Sequence, residues 1–78
     1  MPTLFVIYGL RFYFYSDDHL PIHVRNADGR AKIQVQPEIE VMENRGIKPA
    51  DMKRALVIVR LYQHRIIREW YEHMHEKQ

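Results

Sequence analysis

The hydrophobic period changes once along this chain, between Asn44 and Pro49, and that change constrains the fold more than any other feature. Before it, apolar residues alternate with polar ones at the period of two that belongs to half-buried strands. After it they recur every three or four residues, as on one side of a helix. No helical stretch separates the early strands, so parallel crossover units, which need one, are not expected. The expected fold is α+β, in a single domain of 78 residues. A small, mainly antiparallel sheet of four or five strands occupies residues 1–44, and one long C-terminal helix over 48–75 packs on one face.

The strand region reads in detail. Leu4–Tyr8 is a short β-branched and aromatic run, and after Gly9 a second run, Leu10–Tyr15, alternates cleanly. Leu10, Phe12 and Phe14 share the core side; Arg11, Tyr13 and Tyr15 share the other, which faces outward or toward a ligand. Gly9 gives freedom for a bend, and Ser16-Asp17-Asp18 supplies turn chemistry before a third strand near Ile22. Asn26-Ala27-Asp28-Gly29 is a strong turn signal, followed by Ala31, Ile33 and Val35 alternating with Arg30, Lys32, Gln34 and Gln36: a hairpin with one wet face. Pro37 removes a ladder donor and interrupts the sheet, after which Ile39 and Val41 mark a weaker last strand with Glu38, Glu40 and Glu43 outside.

Pro49 suits the first position of a helix, and Asp51 places an anion near the positive end of its dipole. Met52, Ala55, Leu56, Val59, Ile66, Ile67, Trp70 and Met74 form one apolar stripe with Tyr62 at its edge. An unbroken helix to His73 measures roughly 37 Å at 1.5 Å per residue, longer than a small sheet is wide, which leaves its far end to fray, kink or reach a neighbour. Arg54, Arg65 and Arg68 lie near the opposite meridian beside Val57 and Leu61. Two branched apolar residues outside the main stripe mean local packing, ordinary exposure, or cover by a second protein. Arg65 with Glu69 and Arg68 with Glu72 are spaced i,i+4, so part of the basic charge is compensated on the helix itself.

Composition narrows the setting. With no cysteine there is no disulfide framework, thiolate metal site or cysteine nucleophile, and a reducing, cytoplasmic environment fits best. No run approaches the roughly 18 apolar residues of a membrane span, so no membrane association is expected. Residues 1–44 carry four Lys/Arg against six Asp/Glu, whereas 45–78 carry eight against four. Such a split favours an acidic partner surface, whether RNA, DNA or protein, or else it is a solvated helix face.

The polar residues around Pro21 are the candidate chemical cluster. His19 and His23 are four apart, and Pro21 between them makes the segment extended rather than helical. With Asp17 or Asp18 they offer a set that suits a divalent metal, Asp18, His19 and His23 being the minimal group; a site needs three or four convergent ligands and the spacing supplies two, so no metal or other cofactor is expected. The same histidines could move protons in a metal-independent RNA-directed nuclease, with Arg25 or Arg11 on phosphate and Tyr13 or Tyr15 stacking a base. The ordinary alternative is structural: the carboxylates cap the turn and the imidazoles bond backbone groups. His64, His73 and His75 read as surface histidines of the helix and its tail.

With these residues placed, the chain resembles a family of small bacterial proteins known only as domain-of-unknown-function family 4160. The likeness spans nearly the whole chain: the opening M-P-T-L-F-V-I-Y-G-L-R-F-Y-F-Y-S, then D-H-L-P-I-H-V, the A-K-I strand, the E-N-R-G-I-K-P-A bend and the W-Y near the end. The matching cluster positions are Asp18, His19, Pro21 and His23. The family usually reads H-x-H-V after the proline, whereas here His23-Val24 passes directly to Arg25. The resemblance implies a small protein partner in an arrangement like a toxin–antitoxin pair, and it carries no established activity. The leading expectation is therefore an interaction module, with the nuclease as the alternative and self-association as a third reading.

Overall fold

The structure is a computed structural model that describes residues 3–14 and 21–76, with side chains described for 4–14 and 21–72. Five strands, β1 (Thr3–Ile7), β2 (Leu10–Tyr13), β3 (Ile22–Arg25), β4 (Arg30–Gln34) and β5 (Glu40–Arg45), form one antiparallel sheet in sequence order. Two helices follow, α1 (Pro49–Leu61) and α2 (Gln63–Glu76). Each strand neighbours the next along the chain, the simplest outcome for successive alternating runs.

Alternation sends Leu10, Phe12, Ile22, Val24, Ala31 and Ile33 to one side of the sheet, all buried. Met52, Ala55, Ile58, Val59 and Ile66 of the helices close over them in one core. A fully buried residue such as Ile66 contributes about 1.5–3 kcal/mol through removal of its side chain from water. Ile58 belongs to this core although it falls outside the stripe expected from the sequence.

The single long helix expected over 48–75 is two. Helix α1 starts at Pro49 as expected, with Asp51 in its first turn. At Tyr62 the backbone leaves helical geometry, with φ −108° and ψ 17°. Neither Gly nor Pro is present there, and the cause lies in the sheet. The Tyr62 ring packs on Phe5 of β1 at 5.2 Å, while the Gln63 side chain donates a 2.8 Å hydrogen bond to the Val35 carbonyl beyond β4. These two anchors hold the junction down at separate places, and the break lets α2 resume from there.

Two turns set the strand register. Tyr8 and Gly9 join the Ile7–Leu10 pair, both with positive φ, 55° and 74°, which matches the twist of the flanking strands. Between β3 and β4, Asn26 Oδ1 accepts the backbone N–H groups of Asp28 at 2.9 Å and Gly29 at 3.1 Å. A Cβ on Gly29 would collide with the Arg45 carbonyl, so this turn lies directly against the end of β5. The cis Gln36–Pro37 bond lies in the connection between β4 and β5.

Candidate functional site

Of the acidic and histidine residues grouped around Pro21, His23 lies in the described chain, whereas Asp17, Asp18 and His19 fall outside it, as does Tyr15. His23 is the register partner of Tyr13, and the two rings stack at 5.4 Å with 27° between their planes. They occupy the sheet face away from the helices. Tyr13, expected to face outward or toward a ligand, is instead only 5% exposed, and His23 is 6% exposed. The stack contributes to that burial, because each ring covers one face of the other. Among the described residues no group of three or more metal-ligating side chains converges.

One row nearer the turns, the same face has a different character. Arg11 pairs with Arg25, Arg25 with Arg30, and Arg30 with Arg45, so four arginines lie in register across β2, β3, β4 and β5. All four are exposed. Among the described residues, only Arg45 of the four has an ion-pair partner, Glu43 at 3.2 Å. Like charges directly opposite one another on a sheet are destabilising, and here three such pairs adjoin. Arg11 and Arg25 were legible as candidate phosphate ligands; Arg30 and Arg45 were missed. The length of the Asn26–Gly29 turn already implied that Arg25 and Arg30 flank it.

The helix residues singled out by the sequence divide into two groups. Val57 is 52% and Leu61 73% exposed, so the described chain leaves both largely uncovered. Arg54 and Arg65 are drawn toward the β1 side: the Arg54 guanidinium lies 5.6 Å from the Tyr8 ring centroid and that of Arg65 lies 5.5 Å from Phe5. Each also approaches a carboxylate at 3.9 Å, Asp51 and Glu69 respectively, and such exposed pairs are worth at most about 1 kcal/mol. Arg68 is exposed. No helix among the described residues is long and apolar enough to cross a membrane.

The two borders of the sheet differ. Strand β5 carries Glu40, Glu43 and Arg45, and β1, T-L-F-V-I, carries no charge. Both have a register irregularity, near Leu4 in β1 and at Met42 in β5, so charge is what separates them. Comparison with family models gives a match over residues 9–71 to a domain of unknown function (DUF4160). The chain belongs to this family. The DUF4160 match takes in the arginine row from Arg11 to Arg45 together with Val57 and Leu61, and it begins after β1. No curated protein and no solved structure matches the chain.

Proposed function

We propose that this DUF4160 protein is an interaction module that works in the cytoplasm with a small protein partner, as one half of a toxin–antitoxin-like pair. The observation that carries the reading is the uncharged border strand β1 beneath a helix junction that leaves Val57 and Leu61 uncovered. Proteins ordinarily guard an open strand with charge, as β5 does here, because unpaired backbone groups recruit other strands. A partner segment added alongside β1 would satisfy those groups and bring apolar side chains toward Leu61, the mode by which extended peptides join a sheet.

Co-expression with the product of the adjacent gene tests this. Binding to the native state alone stabilises by mass action, about 2.7 kcal/mol at a hundredfold excess over Kd, which is on the order of 10 °C in Tm for a domain of this size. Val57→Asp with Leu61→Asp should remove that gain and leave the Tm of the isolated chain nearly unchanged. An unshifted Tm and soluble yield on co-expression would rule the pairing out.

A further inference from the structure

We propose that the arginine-lined end of the sheet face away from the helices binds single-stranded nucleic acid, with Arg11, Arg25, Arg30 and Arg45 on the phosphates and Tyr8 stacking a base. This site is separate from the β1 border and the Val57–Leu61 surface, and it asks for a ligand of different chemistry.

The charge arrangement comes first. Neighbouring strands lie about 4.8 Å apart, so four arginines in one row place their charges across roughly 14 Å. Among the described residues Glu43 is their one ion-pair partner, held by Arg45. Lys48, not one of the row, faces Asp28 of the adjoining turn at 3.9 Å. The row therefore holds uncompensated positive charge in a line rather than at a point. A line of guanidinium groups, each able to grip two oxygens of one anion, complements a chain of phosphates better than a single small anion.

The surface is shaped to match. A depression of about 420 Å³ lies among Arg25, Arg30, Arg45 and the Asn26–Gly29 turn. A second, of about 300 Å³, lies among Val6, Gly9, Arg11 and Arg25. They share Arg25, Asn26 and Ala27, so the two depressions adjoin along the row.

The third observation is at the Tyr8–Gly9 turn, whose Gly9 lines the second depression. Tyr8, next to the lining residue Gly9, is 76% exposed and holds φ 55°. A bulky residue in the left-handed region is uncommon, and asparagine or glycine would occupy this turn with less strain. The Tyr8 ring is exposed at the hairpin tip, with the Arg54 guanidinium of α1 5.6 Å from its centroid. Cationic surface with an exposed aromatic ring nearby is the combination that tracks a single strand: charges follow the backbone and the ring takes an unpaired base. A duplex has no unpaired base to offer.

Fluorescence anisotropy on the full chain tests the proposal, using labelled 12-nucleotide RNA and DNA single strands of mixed sequence, the corresponding duplex, and poly-glutamate as competitor. Binding of either single strand is expected, with log K falling against log salt at a slope of about −3 for four phosphate contacts. That slope corresponds to roughly 50-fold weaker binding at 200 mM than at 50 mM salt. The pair Arg25→Ser and Arg30→Ser should weaken binding at least tenfold with Tm unchanged or raised, which separates lost contacts from lost folding. Tyr8→Asn should weaken it severalfold without changing the salt slope, and Leu61→Asp should leave it unchanged. The proposal is overturned if neither strand binds at 50 mM salt, if the duplex binds more tightly, if poly-glutamate competes as well as the oligonucleotide, or if the arginine pair is without effect.

Discussion

Arg25 on β3 and Arg30 on β4 are register partners at the two ends of one turn, both exposed, and neither has an ion-pair partner among the described residues. Their repulsion is a cost of folding that solvent and salt reduce. Replacing either by threonine should raise stability by about 0.5 kcal/mol at low ionic strength, within the range for relief of a like-charge cross-strand pair. Thermal unfolding at 20 mM and 500 mM salt checks this, since the electrostatic part of the gain must shrink as the Debye length falls. A gain of equal size at both salts would assign it to strand propensity instead.

Tyr8→Asn should stabilise the chain by about 1 kcal/mol, because asparagine tolerates the left-handed conformation that tyrosine holds at φ 55°. Urea titration of the two proteins measures it. A lower midpoint for the variant would mean that the contact with Arg54 outweighs the backbone strain.

Two glycines should answer differently to the same change. Gly9→Ala meets no atom within 4 Å and carries only the conformational cost of φ 74°, about 1 kcal/mol. Gly29→Ala drives a methyl group into the Arg45 carbonyl and should cost more, about 2–3 kcal/mol, as the turn is forced off the end of β5. Equal denaturation midpoints would show that the turn and β5 are not in contact in solution.

Gln63→Met keeps the length and helix propensity of the side chain but leaves the Val35 carbonyl without its 2.8 Å donor. A loss of about 1 kcal/mol in urea unfolding is expected, with the far-ultraviolet circular dichroism unaltered. A variant as stable as the parent would remove this bond from the account of the helix break.

Where local signals decide the structure, the sequence was sufficient. The alternation of Leu10, Phe12 and Phe14, the Asn26–Gly29 turn and Pro49 at the helix start all stand where their chemistry puts them. What escaped depends on partners distant in the chain. The break at Tyr62 answers to Phe5 and Val35, more than 25 residues away, and has no glycine or proline to announce it. Tyr13 alternates as an outward residue, and the alternation gave no sign of its stacking on His23. The arginine row follows from four strand registers taken together. Of these, Arg25 with Arg30 was recoverable from turn length, whereas Arg11 with Arg25 spans the long connection between β2 and β3.

The uncharged border at β1 also limits how many molecules can gather. Each copy offers a single socket for an incoming strand, while its far side, with Glu40, Glu43 and the extra residue Met42, discourages another. Growth by this route stops at two chains, which makes a closed pair the natural product and an endless fibre an unfavoured one.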